Sequence, residues 1–271
     1  MKIVVKIISG LLITLILLIV GYFGYRFIKN DFDFNKTFGI GVSDKLIEEK
    51  ELEVFNNILV DFNTSNVEIK HSIDNNYKVL IYSDHLDSHN IEVNEEGVKV
   101  SLKEKKLRFL DRLFNHKQSL IVFYIPSDYE GNITVNGDVG NLKTDDYQYA
   151  LIETKINVGD IYVDGIKEGN IDLDVGSIKV KKLYSNCEVK LNAGDVKMKE
   201  VTILKDSIIT VDAGNISIDE VNDVKIDAEV DLGDKDIEKS NEESLNTLNV
   251  VVRAGNITVH SEKVTEEGTN D

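Results

Sequence analysis

Apolar and polar residues alternate through most of the chain after residue 57, and glycine interrupts the alternation at regular intervals. Between residues 140 and 255, a glycine followed by a small polar residue and an apolar-polar-apolar triplet recurs every 17 to 22 residues. Alternation with a period of two residues predicts β-strands, because side chains of a strand point to opposite faces in turn. The repeating glycines are Gly140, Gly159, Gly176, Gly194, Gly214, Gly233 and Gly255.

The repeat predicts an all-β fold, namely a β-solenoid or β-helix-like stack of rungs of about 18–20 residues each. The residue two positions after a repeating glycine is Leu, Ile or Val in every unit except that of Gly233, which has Lys235. Stacking successive rungs, with backbones about 4.7 to 4.9 Å apart, would bury this apolar row. Glycine suits the corner of a rung because it tolerates positive φ and leaves room for the neighbouring chains.

The alternation is less regular before the repeats, from Ile58 to Leu102, and two interpretations remain open there. These residues form either degenerate early rungs or an antiparallel sheet. Cys187 alternates in phase with Val189 and Leu191, so we expect it to be a buried packing residue. It is the only cysteine, which excludes an intramolecular disulfide.

The start of the chain is apolar and has no acidic residue over residues 3–28. This length approaches what is needed to cross a hydrocarbon core of about 30 Å, so it predicts a transmembrane helix. A cleaved secretory signal is the alternative, but no Ala-x-Ala-like cleavage site follows. Basic residues flank both ends, and the short leading tail favours a cytoplasmic N-terminus. We therefore predict a single-pass protein of the cell membrane whose ectodomain is extracytoplasmic.

Four regions follow from these patterns. Residues 1–29 are a short cytoplasmic tail and anchor, 30–54 a linker or stalk, 55–261 the solenoid ectodomain, and 262–271 a disordered tail. The ectodomain is interrupted at residues 104–118 by a basic and amphipathic insertion, whose notable residues are Arg108, Phe109, Arg112 and Phe114. These side chains either contact a partner or the outer leaflet, or they cover the end of the apolar core.

Candidate chemistry is sparse in this sequence. Asp84, His85, Asp87 and His89 lie within one short segment and could hold a divalent ion, although such polar loops usually bind none. The row of Asn, Asp and Ser that follows the glycines could bind calcium, but side-chain hydrogen bonds between turns are the favoured interpretation. We predict no cofactor and no enzyme activity, because no catalytic motif is present; a polysaccharide-cleaving enzyme is the remaining alternative. The net charge of −17 argues against nucleic acid as a partner.

One strand ends in the only proline of the chain, Ile121–Pro126, and serial units of Gly, Asp or Asn, and Ile or Val follow it. With these features the region from about Phe55 to Ser261 resembles the putative-adhesin domain family of bacterial envelope proteins, a β-solenoid family. The resemblance implies an exported, anchored domain. The 104–118 insertion and the irregular unit of Gly233 depart from the pattern of that family.

Together, the patterns and the resemblance predict a membrane-anchored β-solenoid that serves as a non-catalytic binding, adhesion or scaffolding module at the cell envelope. The expected partners are the lipid bilayer, through residues 3–28, and an envelope protein or a wall polymer. The alternative is an accessory regulator of an envelope-stress system that acts through a membrane partner. The short N-terminal tail leaves no room for a cytoplasmic output domain, so such a regulator would act through a partner helix.

Overall fold

A computed structural model of the chain describes residues 41–94, 97–104, 117–222, 224–238 and 240–261. Their regular secondary structure is β-strand, as the alternation predicts. Within these ranges, no helix has the length and apolarity needed to cross a membrane. The predicted transmembrane helix of residues 3–28 lies outside the described residues, as does the predicted tail of residues 262–271.

Fifteen strands occur in the described residues. They are β1 Gly41–Val42, β2 Leu46–Leu52, β3 Asn57–His71, β4 Tyr77–Tyr82, β5 Leu86–Asn94, β6 Gly97–Glu104, β7 Lys117–Ile125, β8 Asn132–Val139, β9 Leu142–Val201, β10 Ser207–Ala213, β11 Ile216–Val221, β12 Lys225–Leu232, β13 Lys235–Ile237, β14 Thr247–Ala254 and β15 Ile257–Ser261. Strand β2 falls within residues 30–54, the range that the sequence assigns to a linker.

Two compact units divide the chain. In the smaller unit, β1 pairs in parallel with the first two residues of β7, and the Ser43 amide donates a hydrogen bond to the Gln118 carbonyl (2.9 Å). The larger unit contains the described residues 44–104 and 119–261, and all the repeats lie in it. The stack of repeats is described below for this larger unit alone.

Each repeat forms one coil, which consists of a strand before the corner glycine and a strand after it, and the coils stack in parallel. The strand before the corner and the strand after it alternate buried and exposed side chains. The predicted apolar row is buried, since Ile161, Ile178, Val196 and Ile216 are each at most 1% exposed. The predicted solenoid-like stack is thus confirmed.

The corner glycines bring successive coils into backbone contact. Gly176 has a φ of 144°, and a Cβ at this position would overlap the carbonyl oxygen of Gly159 in the neighbouring coil. The other corner glycines have the same relation to the coil beside them, and the row begins at Ser65 of β3, which lies against Gly140. Any L-residue here would be strained in its backbone and would also push two coils apart.

The coils at the C-terminal end do not stack in the order of the sequence. Strands β14 and β15 pair with β10 and β11 on one side and with β12 and β13 on the other. The Gly255 coil therefore lies between the Gly214 and Gly233 coils, and the Gly233 coil is outermost. This position explains why Lys235 breaks the apolar row, because the outermost coil is covered on one side only. Leu232 in the same coil is 72% exposed.

The N-terminal end has the corresponding arrangement. Strand β3 pairs with β8 and β9 on one side, and with β6 and residues 119–125 of β7 on the other. The first coil of the chain thus occupies the second position in the stack. Antiparallel strands then extend the sheet beyond the outermost coil: β5 on β6, β4 on β7, and β2 on β4. Part of residues 58–102 thus forms early coils and part forms an antiparallel sheet, so each of the two interpretations is correct for part of the region.

Candidate functional site

A ladder of hydrogen bonds joins the coils beside the corner glycines. At six steps of the stack, the side-chain oxygen of the residue at this position accepts a hydrogen bond from the backbone amide of the equivalent residue in the neighbouring coil. For example, Asn141 Oδ1 accepts from the Asp160 amide (2.8 Å), and Asp160 Oδ1 accepts from the Ser177 amide (2.9 Å). The other steps are Asn66 to Asn141, Asp195 to Asn215, Asn215 to Asn256 and Asn256 to Asp234. This row therefore has the turn-holding role that the sequence favours.

A second polar row lies on the outward face, two residues before each corner. Along the stack, this row alternates between Asp and a residue whose side chain can donate a hydrogen bond, which is Asn in most coils and Arg in one. Asp138 accepts from the side-chain amides of Asn63 (2.9 Å) and Asn157 (3.3 Å). The row continues with Asp174 bound to Asn192 (2.7 Å) and Asp212 paired with Arg253 (3.1 Å). Alternation avoids stacking like charges directly over one another.

The outward rows form a groove of about 510 Å³ near the N-terminal end of the stack. One polar row crosses the floor of the groove, and each of five neighbouring strands contributes one residue to it. In the order β5, β6, β3, β8 and β9, these residues are Asn90, Ser101, Asp61, Asn136 and Lys155. The row two residues nearer the corner contributes Asn63, Asp138 and Asn157. Carboxylates in the groove already accept hydrogen bonds from amides, since Asn136 Nδ2 donates to Asp61 Oδ1 (3.1 Å).

A close fit of one ring supports the floor of the groove. Phe62 is 7% exposed, and its ring occupies the space that a side chain at position 137 would fill. A Cβ on Gly137 would overlap the Phe62 ring, so a larger residue at this position would displace the ring. The groove is thus polar at its surface and rests on a packed aromatic ring.

The predicted metal residues lie at the antiparallel end of the sheet. Asp84 and His85 precede β5, whereas Asp87 and His89 lie within it. His89 Nε2 is hydrogen-bonded to Glu48 Oε2 of β2 (2.6 Å), and the His85 amide donates to Ser83 Oγ (3.2 Å). Among the described residues, no three His, Cys, Asp or Glu side chains lie together in a way that could hold a metal ion. The structure therefore does not assemble these four residues into a ligand set.

The predicted contact residues of the insertion are Arg108, Phe109, Arg112 and Phe114, and they lie outside the described residues. Strand β6 ends at Glu104 and β7 begins at Lys117, so the insertion connects the two strands of the outermost N-terminal coil. Its proposed contact with a partner or with lipid stays a prediction.

A group of lysines on the strand after the corner was missed by the sequence analysis. Lys179 and Lys181 are three and five residues after Gly176, and Lys197 and Lys199 are three and five residues after Gly194. The two glycines stack, so the four side chains form a grid on one outward face, and all four are exposed. The equal offsets from the two glycines are the sequence signal for this group.

Burial raises the pKa values of several groups in the stack, among them Tyr184 and Cys187. Burial, reinforced by a hydrogen bond to Asp146 (3.0 Å), raises the pKa of the Tyr184 hydroxyl to about 12. Burial also raises the pKa of the Cys187 thiol to about 12, and this side chain is 4% exposed. A thiol in this state is a poor nucleophile at neutral pH, which agrees with a packing role for Cys187.

Comparison with known proteins places the chain in a family. Residues 55–270 match the family described as Toastrack DUF4097. The chain belongs to this family. No curated protein matches the chain.

Several solved structures are similar to the chain at low sequence identity. A putative cell adhesion protein from Clostridium sporogenes has 13% identity and a TM-score of 0.34, over 80% of this chain and 100% of that one. A putative adhesin from Bacteroides fragilis has 16% identity and a TM-score of 0.37, over 82% and 100%. A putative lipid binding protein from Parabacteroides distasonis has 14% identity and a TM-score of 0.41, over 82% and 99%. The predicted family resemblance, over about Phe55 to Ser261, is confirmed by the family match over residues 55–270.

The ladder beside the corners predicts the effect of removing one acceptor. Asp160→Ala deprives both the amide and the hydroxyl of Ser177 of their acceptor (2.9 and 2.7 Å), so it should lower the free energy of unfolding by about 1–2 kcal/mol. Asp160→Asn keeps an oxygen at the same place and should cost less than about 0.5 kcal/mol. Urea unfolding of both variants measures the difference. Equal losses would show that the acceptor has no stabilising role.

Proposed function

We propose that the chain is a non-catalytic binding module of the bacterial cell envelope, held at the membrane by residues 3–28 with its stacked coils outside the cytoplasm. The apolar, acid-free character of residues 3–28 supports the anchor. The observation that carries the binding function is the groove, in which one row of in-register polar side chains crosses five strands and a second row crosses three of them.

The groove suits a neutral, hydroxyl-rich polymer such as the glycan of a cell wall. Asn amides donate and accept, and Asp carboxylates accept, so each pair of neighbours can bind vicinal hydroxyl groups. The row of five strands is about 19 Å long at about 4.8 Å per strand, which accommodates several sugar rings. Phe62 is covered, so recognition would rest on hydrogen bonds more than on stacking. Repetition along a polymer then compensates for weak single contacts.

The arrangement of the carboxylates favours binding over catalysis. Asp61 is hydrogen-bonded to Asn136 and lies 3.2 Å from Lys99 Nζ, and Asp138 is bound by Asn63 and Asn157. Carboxylates that are occupied by fixed donors are poorly disposed to transfer protons. The proposed role therefore requires neither a cofactor nor a metal ion.

The location is tested by protease treatment of intact cells that make the chain with an epitope added after Asp271. If the coils and everything after them are outside, added protease should remove the epitope, while a cytoplasmic control protein remains whole. Survival of the epitope on intact cells, together with its loss after lysis, would contradict the proposed location.

The binding site is tested with peptidoglycan from which anionic polymers have been removed. Asn157→Leu removes a donor and an acceptor from the groove and should weaken co-sedimentation of the detergent-solubilised chain about fivefold. Asn192→Leu is the matched control, because Asn192 lies in the same row and likewise donates to an aspartate, but it lies outside the groove. Equal effects of the two changes, or no binding by the unaltered chain, would overturn the proposed site.

A further inference from the structure

Four lysines of two adjacent coils form a compact positive grid. Lys179 and Lys197 occupy one row of the strand after the corner, and Lys181 and Lys199 occupy the next outward row. Neighbouring coils are about 4.8 Å apart and alternate residues of a strand about 6.7 Å apart, so the backbone positions form a rectangle of about these dimensions. The whole chain carries a net charge of −17, and within it these four lysines are a local concentration of positive charges in register.

Stacking lysine directly over lysine is unfavourable for the fold itself. Like charges in register on adjacent strands repel one another and lower stability. The row two residues before the corner avoids this cost, since it alternates Asp with Asn or Arg through the same coils. In the two lysine rows, by contrast, like charges lie beside each other on adjacent coils: Lys179 beside Lys197, and Lys181 beside Lys199. A local cost of this kind is expected where the charges have a function.

The contacts of the lysines are weak enough to be exchanged for a ligand. Lys181 lies 3.4 Å from Asp164, Lys197 lies 3.6 Å from Asp219 and Lys199 lies 3.2 Å from Glu200, and all three lysine side chains are more than half exposed. Exposed ion pairs of this type contribute little to stability. Lys179 contacts the Tyr162 hydroxyl (3.3 Å) and lies over the Tyr162 ring at 5.0 Å, which holds its ammonium group on the face.

We propose that this lysine grid binds a linear polymer linked by phosphodiesters, such as a polyol phosphate of the cell wall. A chain with one negative charge per repeat unit can place successive charges on lysines that are one coil or two residues apart. The grid is about as wide as a single extended polymer chain. An anionic bilayer fits less well, because the carboxylates Asp164 and Asp219 border the grid and would face the same negative plane.

A wall polymer is the chosen source because of the proposed location outside the cytoplasm. A single-stranded nucleic acid has the same backbone chemistry, but its bases bind proteins by stacking on several aromatic side chains. Tyr162 is the aromatic residue in contact with the grid. The binding chemistry itself depends neither on the location nor on the glycan groove.

The test uses the full chain in phosphatidylcholine nanodiscs, with poly(glycerol phosphate) as the probe. The unaltered chain should bind the polymer, and the affinity should fall steeply as salt rises, because binding releases counterions. Replacing Lys179, Lys181, Lys197 and Lys199 by Gln should lower the affinity about a hundredfold or more. The matched control replaces Lys167, Lys190, Lys205 and Lys235 by Gln, which changes the net charge equally, and it should bind within about threefold of the unaltered chain.

Further arms separate the alternatives. Urea unfolding of both quadruple variants checks that they are folded. Asn157→Leu, which alters the glycan groove, should leave polymer binding unchanged. A failure of the proposed glycan site can therefore be distinguished from a failure of the proposed lysine site. Equal loss of affinity in the two quadruple variants would overturn the proposal, since it would indicate a response to net charge alone. Tighter binding to phosphatidylglycerol vesicles or to single-stranded DNA than to poly(glycerol phosphate) would also overturn it.

Discussion

Backbone contact at the corner glycines is the constraint on which the rest of the molecule depends. A coil can approach its neighbour this closely only where no Cβ intervenes, and Gly176, with its positive φ against the Gly159 carbonyl, illustrates the requirement. Once the corners are aligned, every residue at a given distance from a glycine falls into one row. Apolar rows such as that of Ile161 and Ile178 then form a continuous core, and polar rows form ordered outward faces.

The same register determines how the faces satisfy their hydrogen bonds and charges. Beside the corner, side-chain oxygens such as those of Asn141, Asp160 and Asp195 accept a hydrogen bond from a backbone amide of the neighbouring coil, so a corner stabilises its neighbour as well as itself. Farther out, Asp138 and Asp174 are separated by amides, and like charges are kept apart. The two proposed binding faces use this order differently. The groove near Asp61 and Asn136 offers paired donors and acceptors, whereas the lysine grid concentrates charge.

Local repetition explains both what could be predicted from the sequence and what could not. The all-β coils, the buried row of Ile178 and Val196, and the packing role of Cys187 all follow from alternation around glycine, which acts within one coil and its neighbours. The order of the coils depends instead on which strands cover an end, and no local pattern encodes it. Lys235 was the available signal, because a lysine in an apolar row indicates a coil that is covered on one side only.

The candidate sites were harder to predict than the fold for a related reason. The groove brings together Ser101, Asp61 and Asn136, which are far apart in the sequence. They become neighbours only because the first coil, which contains β3, lies between β6 and β8. The lysine grid, in contrast, lies in coils that follow one another, so equal offsets from Gly176 and Gly194 could have revealed it. The His and Asp residues at 84–89 appeared as a motif only because they are close in sequence.

Insertion of each terminal coil into the second position of the stack also has a physical consequence. Strands β3 and β14 are paired along both edges, so they are protected from fraying. At the C-terminal end the edge position belongs to β12, which is an internal segment of the chain, whereas β2 forms the edge at the N-terminal end. The C-terminal edge is further closed by Ser240, whose hydroxyl accepts from the Ile226 amide (3.0 Å).

The stacking order is tested most directly by paired cysteines on the outward face of the last three coils. Ser217 and Thr258 are partners in adjacent strands, so Ser217→Cys with Thr258→Cys should form an intramolecular disulfide on mild oxidation, as measured by mass spectrometry. Asp236 pairs with Thr258 and lies one coil farther away, so Ser217→Cys with Asp236→Cys should not form one. Sequential stacking predicts the reverse pattern, and observing that reverse would contradict the account.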